Sequence, residues 1–241
     1  IADKLSPKAI TTLNKIGAEI TSNPDLKAEE LSDAIGSANV LIVRSTKVYA
    51  ETIEAGKSLE LIIRAGAGVN NIDLEKASSS GVYVANCPGK NSDAVAELAL
   101  GHIIACDRRI VDASLDLRSG NWKKKAYQNA AGLKGRTLGI IGLGSIGSAL
   151  AKLAKGLDMN VIAWSRNLTP DKADALDLVY CKSIAEVAAN ADAVSVHLAV
   201  TPDTKHLLNT KFFNKMKDGA IFVNTSRGEI VDTAALRKAI D

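Results

Sequence analysis

The chain has 241 residues, enough for one large domain or two modest ones. Hydrophobic residues make up 46% and charged residues 24%, an ordinary globular composition that excludes a disordered or collagen-like chain. The net charge is +3 and aromatic residues are only 4%, too few for base-stacking platforms. We therefore expect no nucleic-acid partner, and we interpret the Lys123-Lys124-Lys125 cluster as a solvated loop.

Three cysteines, Cys87, Cys106 and Cys181, are present, an odd number without a CxxC pair. This pattern predicts neither a disulfide framework nor a metal site, and it favours reduced thiols and a cytoplasmic location. No apolar run approaches the roughly 20 residues that cross a bilayer, and no signal peptide opens the sequence, so we expect no membrane partner. The first residues resemble the end of a strand, so we expect a few residues to precede them.

The first part of the chain alternates short apolar runs with helical segments. Strands are predicted at 40–43, 59–63 and 82–84. Helices are predicted between them at 50–56 and 73–80. This alternation predicts a parallel sheet with helices on both faces.

A second alternating block follows a longer helix, predicted from about 91 to 109, and a stretch at 117–133 that we interpret as a crossover loop. Ser183 and Glu186 form a capping-box pattern at one helix start in this block. Two doubly wound α/β domains with parallel sheets are therefore predicted, at 1–87 and 88–241. The strands of the second block are predicted at 138–141, 161–164, 193–196 and 220–223.

The second block opens with the hexapeptide GLGSIG, placed directly after a predicted strand and before a predicted helix. In this setting the G-x-G-x-x-G pattern is typical of a dinucleotide-binding turn. Gly142 permits the tight turn, Gly144 lets the backbone approach a pyrophosphate, and Gly147 allows close packing of helix on strand. Ser145 and Ile146 open the helix, whose N-terminal N–H groups attract an anion.

The end of the next strand selects the cofactor, because an acidic side chain there binds the 2′-hydroxyl of NAD. The sequence instead reads Trp164-Ser165-Arg166, with no acid in reach. Ser165 can donate a hydrogen bond to a phosphate, and Arg166 can pair with one through two N–H groups. An NAD(P) cofactor is therefore predicted with NADP favoured. The alternative is NAD, with Arg166 stacked on the adenine or pointing to solvent.

Five segments that cover nearly the whole chain resemble the D-isomer-specific 2-hydroxyacid dehydrogenases, and most closely their 3-phosphoglycerate dehydrogenase branch. The segments are 63–73, 86–97, 133–144, 197–206 and 216–232. The resemblance implies a flavodoxin-like substrate domain at 1–87. It also implies a Rossmann nucleotide-binding domain at 88–241, incomplete at its C-terminal end, and a homodimer built around the long helix.

The resemblance implies an oxidoreductase that moves a hydride between NAD(P) and C2 of a small D-2-hydroxy or 2-keto acid. The favoured substrate is 3-phosphoglycerate, with a place in serine biosynthesis. Arg227 matches the catalytic arginine, whose fixed cation orients the substrate and polarises its carbonyl. The loop of Gly66, Ala67, Gly68 and Val69 matches the one whose backbone N–H groups hold the substrate carboxylate.

Other residues enter through the same resemblance. Arg44, Ser45 and Arg64 stand at carboxyl ends of predicted strands, where ligands bind a parallel sheet, and the two arginines match positions that face the substrate phosphate. His197 matches a histidine near the cofactor. The remaining residues expected on the cofactor side are Thr204, Asn224, Thr225 and Ser226.

The resemblance places the proton-transfer histidine and its glutamate beyond Asp241, so we expect the sequence to be part of a longer enzyme. Asn70 stands where the family usually has Asp. Two alternatives stay open. A glyoxylate or hydroxypyruvate reductase would use the same residues on an unphosphorylated acid, and a non-catalytic, nucleotide-sensing interaction protein would use only the dinucleotide fold.

Overall fold

The structure is a computed structural model and describes residues 1–240. The chain divides into two compact units, Ile1–Asn91 and Ser92–Asp241. The sequence predicts the division after residue 87, and the structure has it after Asn91. The assignment of a substrate-binding role to the first unit stays a prediction.

The first unit is built on a three-stranded parallel sheet in the order β1-β2-β3. Its strands are β1 Val40–Val43, β2 Leu61–Arg64 and β3 Tyr83–Asn86. Its helices are α1 Pro7–Lys15, α2 Leu31–Ala34, α3 Ala50–Ala55 and α4 Leu74–Ser79, with a 3₁₀ turn at Ala28–Glu30. All three predicted strands and both predicted helices are confirmed, with small shifts at their ends.

The core of the first unit forms where the apolar side chains of β1 and β2 meet the helices, and Val43 and Ile62 are completely buried there. The first residues run beside β1, since the N–H of Ala2 donates to the carbonyl of Ile42 at 3.0 Å. Pro7 occupies the first turn of α1 after Ser6, whose hydroxyl caps the helix by accepting from Ala9.

The second unit is built on a five-stranded parallel sheet in the order β6-β5-β4-β7-β8. Its strands are β4 Thr137–Ile141, β5 Asn160–Trp164, β6 Val179–Tyr180, β7 Ala193–Val196 and β8 Ile221–Asn224. Its helices are α5 Ser92–Arg108, α6 Ile110–Arg118, α7 Ser145–Lys155, α8 Pro170–Ala175, α9 Ile184–Asn190, α10 Thr210–Phe213 and α11 Thr233–Ile240, with 3₁₀ turns at Lys124–Tyr127 and Gly228–Ile230. The four predicted strands are confirmed. The sequence analysis missed β6, which has only two residues.

Both faces of this sheet are covered by helices, as the sequence predicts. Leu138 and Ile140 pack in one core cluster with residues of α5, α7 and α8. Ile141 points to the opposite face and packs with residues of α9, α10 and α11. Gly139 also faces that side, where a Cβ would come within 2.8 Å of the Ala191 side chain. Successive side chains of β4 point to opposite faces of the sheet, and their sizes therefore set how closely the helices on each face pack against it.

The strand order reverses at the centre of the sheet. β4 pairs with β5 on one side and with β7 on the other, so β5 and β6 lie on one side of β4 and β7 and β8 on the other. In an open parallel sheet the crevice at the carboxyl ends of the strands beside such a switch point is where ligands bind. The residues that follow β4, β5 and β7 therefore carry the candidate site of this unit.

The long predicted helix is confirmed as α5, but it is followed by a second helix that the sequence analysis missed. Arg109 adopts a left-handed conformation with φ of 49° and separates α5 from α6. Gly120, with φ of 77°, lies just after α6 and is the stop signal that could have revealed it. Lys123 pairs with Asp116 at 2.8 Å. Lys124 and Lys125 are exposed in the following 3₁₀ turn.

Within residues 1–240, none of the helices combines the length and the apolar character that crossing a lipid bilayer requires. The three cysteines are free thiols, and burial raises the pKa of Cys181 to about 11. In the same part of the chain, no group of three His, Cys, Asp or Glu side chains could hold a metal ion.

A buried ion pair ties the end of α5 to the start of the second sheet. The Asp107 side chain is only 3% exposed and lies 2.8 Å from Nη1 of Arg136. The same carboxylate accepts the N–H of Gly132 at 3.0 Å. Arg136 also donates to the carbonyl of Asp192 at 3.4 Å. The pair therefore connects three segments that enter the sheet at its amino edge.

Replacing Asp107 with Ala should lower the free energy of unfolding by about 2–4 kcal/mol, because it leaves the Arg136 cation and the Gly132 N–H without their partner. The matched control is Asp112→Ala, which breaks the exposed Arg109–Asp112 pair and should cost less than about 1 kcal/mol. Urea denaturation of both variants measures the difference. Equal losses would contradict a structural role for the Asp107 pair.

Candidate functional site

The glycine-rich turn after β4 is shaped by close contacts that only glycine permits. Gly142 has φ of +98°, and a Cβ there would fall 2.6 Å from the carbonyl oxygen of His197. A Cβ at Gly147 would overlap the carbonyl oxygen of Gly142. These two glycines therefore hold α7 against β4 and the end of β7.

The middle glycine of the turn has a different environment. A Cβ at Gly144 would meet no atom within 4 Å, and its φ of −85° is accessible to any residue. Neither packing nor backbone conformation requires glycine at this position. Gly144 is the N-cap of α7, and the first residues of that helix, Ser145 and Ile146, present N–H groups at its positive end. The open space beside these donors fits the pyrophosphate of a dinucleotide.

The end of β5 is fixed next to the glycine turn. The N–H of Gly142 donates to the carbonyl of Trp164 at 2.8 Å, so the two residues that follow β5 lie at the same sheet edge as the turn. Ser165 begins a turn in which its carbonyl accepts the N–H of Leu168. Arg166 is exposed, and the described residues give its side chain no hydrogen bond or ion pair. We call Ser165 and Arg166 the ribose selector, because they follow β5 where the 2′ group of the ribose is predicted to bind. The ribose selector therefore carries an exposed cation without a hydrogen-bond or ion-pair partner among the described residues.

His197 follows β7 and has one ring nitrogen without a partner. Its backbone N–H donates to Ile141 at 2.8 Å, and Nε2 lies 2.9 Å from the hydroxyl of Ser195. Nδ1 is buried and has no hydrogen-bond partner in residues 1–240. Burial lowers the pKa of His197 from 6.5 to about 4, so the ring is neutral at pH 7.

The turn after β8 is stabilised by Asn224. Its side-chain oxygen accepts both the N–H and the hydroxyl of Ser226, at 3.0 and 2.6 Å, and its amide donates to the Arg227 carbonyl at 2.9 Å. Arg227 is exposed and donates through Nη1 to the carbonyl of Ser226. Thr225 carries a buried hydroxyl for which the described chain offers no partner. This hydroxyl and Nδ1 of His197 are two buried polar atoms that have no hydrogen-bond partner within residues 1–240.

Thr204 has a local structural role. Its hydroxyl donates to the Ala199 carbonyl and accepts the Thr201 N–H, both at 2.7 Å. These bonds close the loop that follows His197. The predicted contact of Thr204 with the cofactor stays a prediction.

The first unit holds a cleft of about 490 Å³ at the carboxyl edge of its sheet. We call it the cationic cleft, because three cations and no carboxylate of the described chain line it. Its lining residues are Arg44, Arg64, Ala65, Gly66, Ala67, Cys87, Lys90 and Asn91. The predicted Ser45, Gly68 and Val69 are not among them.

The two cleft arginines are brought together by strand register. Arg64 is the last residue of β2 and pairs with Val43, the last residue of β1. Arg44 directly follows Val43, so the two arginines stand at the same edge of the sheet on adjacent strands. The carboxylate of Asp3 accepts the N–H groups of Arg44, Ser45 and Thr46, at 2.7 to 3.0 Å, and holds the turn after β1. Burial opposes ionisation of Asp3, but these bonds outweigh it and lower its pKa.

The loop after β2 exposes backbone donors beside this cleft. A Cβ at Gly66 would overlap the guanidinium of Arg64, whose Nε is buried and unbonded within residues 1–240. The N–H of Gly66 donates to the carbonyl of Arg64 at 2.7 Å. The N–H groups of Ala67, Gly68 and Val69 have no acceptor in the described chain. Three of the four predicted carboxylate donors are therefore available.

Sequence reasoning missed Lys90 and Ser195. Lys90 follows β3 in the turn whose Cys87 N–H donates to the Gly66 carbonyl at 3.0 Å. β3 pairs with β2, and its last residue, Asn86, lies opposite Arg64. This pairing is the signal that would have grouped Lys90 with the two arginines. Ser195 lies inside a buried strand two residues before His197, and that spacing puts both side chains on one face.

Comparison with known proteins gives the family. Residues 100–241 match the family model described as D-isomer specific 2-hydroxyacid dehydrogenase, NAD binding domain. The chain is 41% identical over 242 residues to a hydroxypyruvate reductase of Thermotoga maritima, covering 100% of this chain and 77% of that protein. It is 39% identical over 241 residues to a D-3-phosphoglycerate dehydrogenase of Archaeoglobus fulgidus, covering 100% of this chain but 45% of that protein.

A solved structure gives the same result for the fold. The TT0316 protein of Thermus thermophilus superimposes with a TM-score of 0.88 at 34% identity, over 99% of this chain and 76% of that one. The chain therefore spans about three quarters of some relatives and less than half of others.

The glycine turn allows a paired test. Gly144→Ala should leave the unfolding free energy nearly unchanged and weaken dinucleotide binding by about tenfold or more, because the methyl group takes space meant for the ligand. Gly147→Ala should instead destabilise the protein by about 1–3 kcal/mol through overlap with the Gly142 backbone. Thermal unfolding and fluorescence titration with NADH and NADPH separate the two effects. Strong binding by Gly144→Ala would contradict the assignment of the turn.

Proposed function

This chain belongs to the D-isomer-specific 2-hydroxyacid dehydrogenase family, and we propose that it interconverts a phosphorylated D-2-hydroxy acid and its 2-keto acid. The favoured pair is 3-phosphoglycerate and 3-phosphohydroxypyruvate. A nicotinamide dinucleotide supplies or accepts the hydride when bound. The observation that carries the choice of substrate is the cationic cleft, whose lining has Arg44, Arg64 and Lys90 and no carboxylate.

The chemistry of the cleft matches an acid with two anionic ends. A phosphate group suits guanidinium groups, because the planar fork of Arg makes two parallel hydrogen bonds to its oxygens. The buried, unbonded Nε of Arg64 is a donor of this kind. The free N–H groups of Ala67, Gly68 and Val69 suit the carboxylate at the other end.

Arg227 is proposed to bind the carboxylate and the C2 oxygen of the substrate. Its guanidinium is a cation with several N–H donors, so it stabilises the negative charge that grows on that oxygen during reduction. The bonds that Asn224 makes to Ser226 and Arg227 fix the backbone from which this side chain extends. The residue that supplies the proton stays a prediction.

NADP is the proposed cofactor, because the ribose selector carries a cation and no acid. Arg166 has no partner among residues 1–240, and Ser165 adds a hydroxyl beside it. Both side chains follow the Trp164 carbonyl that Gly142 binds. A 2′-phosphate would gain a charge-assisted bond there, and no carboxylate repels it. NAD is the alternative.

A reductase for hydroxypyruvate or glyoxylate is the second candidate. The hydroxypyruvate reductase of Thermotoga maritima is the relative that this chain covers more completely, at 77% against 45% for the phosphoglycerate dehydrogenase. An unphosphorylated acid would leave the three cations of the cleft without the phosphate group that they are proposed to bind. The cleft therefore favours the phosphorylated substrate.

A homodimer is proposed as the assembly. Exposed apolar side chains follow one another along α5 and α6, where water contact is costly and a second copy would cover them. They are Leu98, Ile110, Val111, Leu115 and Leu117.

Removing the cleft cations should discriminate between the two substrate classes. Arg64→Ala and Lys90→Ala should each lower kcat/KM for 3-phosphohydroxypyruvate by about tenfold or more, since each removes a charge-assisted contact, and change that for hydroxypyruvate about threefold or less. Lys57→Ala, an exposed lysine outside the cleft, controls for net charge. Equal losses on both substrates would show that the cleft does not bind phosphate.

Arg227 should affect both substrates alike. Arg227→Ala in the complete enzyme should cost about 3–5 kcal/mol of transition-state stabilisation, read from kcat/KM. Arg227→Lys should lose less, because it keeps the charge while losing the planar fork. Near wild-type kcat/KM in the alanine variant would remove Arg227 from the mechanism.

Cofactor preference should follow the two residues after β5. Ser165→Asp combined with Arg166→Ala should shift the ratio of kcat/KM values toward NADH by at least about tenfold, because the new carboxylate binds a 2′-hydroxyl and repels a 2′-phosphate. The measurement is kcat/KM for both cofactors in wild type and double variant. A wild type that strongly prefers NADH, with the same ratio in the variant, would contradict the proposal.

A further inference from the structure

Ser195 is a hydroxyl in the interior of a sheet, in a strand whose other residues are apolar. It lies in β7 between Val194 and Val196 and is completely buried. A buried hydroxyl costs free energy unless it is hydrogen bonded. Among the described residues its partner is Nε2 of His197, at 2.9 Å. Among the described residues, the Ser195 hydroxyl therefore bonds to the His197 imidazole and to no other group.

The hydrogen-bonding capacity of Ser195 and His197 favours one tautomer of the imidazole ring. If the Ser195 hydroxyl donates to Nε2, the proton of the neutral ring is on Nδ1, and one buried donor waits for a partner. If Nε2 donates to the hydroxyl, the hydroxyl proton and Nδ1 are both left without partners in residues 1–240. The first arrangement leaves fewer unsatisfied groups, so it has the lower free energy.

The backbone of His197 lies beside the predicted dinucleotide-binding turn. The His197 carbonyl occupies the space where Gly142 lacks a Cβ, and its N–H bonds to the residue just before that glycine. Nδ1 belongs to the residue that follows β7 at the same sheet edge as the glycine turn, and it is a buried nitrogen with no hydrogen-bond partner in the described chain.

We propose that Ser195 is a positioning residue: by donating to Nε2 it keeps the proton of His197 on Nδ1, and this N–H binds an acceptor oxygen of the bound nicotinamide dinucleotide. This inference rests on the proposed function only in that a dinucleotide occupies the turn. Burial lowers the pKa of His197 to about 4, which agrees with a neutral donor at pH 7.

The tautomer is measured directly by long-range ¹H–¹⁵N NMR on the complete protein labelled at histidine, with His102 and His206 as internal references. In wild type, Nδ1 of His197 should have the shift of a protonated nitrogen and Nε2 that of an acceptor. Ser195→Ala should move the ring toward the Nε2-protonated form, and Ser195→Thr should restore the wild-type pattern. A wild-type ring protonated on Nε2, or an unchanged tautomer in Ser195→Ala, would overturn the proposal.

Titration with NADH and NADPH tests recognition. Ser195→Ala should raise Kd about three- to tenfold through loss of one oriented hydrogen bond, and Ser195→Thr should stay near wild type. In a His197→Ala background, Ser195→Ala should change Kd by less than about twofold, because it acts through the ring. If Ser195→Thr does not fold, the comparison of Ser195→Ala in the wild-type and His197→Ala backgrounds is the deciding measurement. The same change in Kd in both backgrounds overturns the proposal. A wild type that binds neither dinucleotide overturns the proposed function and the recognition step with it, whereas the NMR result still decides the tautomer.

Discussion

The packing of one glycine joins the carboxyl ends of three strands. Gly142 follows β4, and its N–H donates to the carbonyl of Trp164 at the end of β5. The His197 carbonyl, at the end of β7, lies where a Cβ on Gly142 would be. Its φ of +98° lies where side chains are strained, so no other residue keeps all three connections. The predicted ribose selector, the buried imidazole and the start of α7 all depend on this contact for their positions.

Each unit presents groups that suit anions at the carboxyl edge of its own parallel sheet. In the second unit these are the helix start at Ser145 and the exposed Arg166. In the first unit they are the cationic cleft and the free N–H groups of the loop at 67–69. Parallel strands bring successive loops to one edge, so residues far apart in sequence form one charged surface.

Local patterns were sufficient for much of the fold. Apolar runs located seven of the eight strands found in residues 1–240. The spacing of Ser183 and Glu186 correctly marked the start of α9, where the Glu186 carboxylate also accepts the N–H of Lys182. The strand β6 was missed because two residues carry no period. α6 was missed because none of its residues is buried, so no core-facing helical pattern marks it in the sequence.

The site was harder to predict than the fold. The glycines of the turn were readable because their backbone requirements are local. Lys90 and Ser195 were not, since the first depends on which strands are neighbours and the second on which group a buried hydroxyl meets. Sequence spacing gives neither relation without the three-dimensional pairing.

We propose that this family member acts on a phosphorylated acid. The most direct test compares kcat/KM of the complete wild-type protein for 3-phosphohydroxypyruvate, hydroxypyruvate and glyoxylate, each with NADH and NADPH. The cationic cleft predicts a preference for the phosphorylated acid of about tenfold or more, since a phosphate adds at least one charge-assisted contact. An equal or higher kcat/KM for hydroxypyruvate or glyoxylate would contradict it.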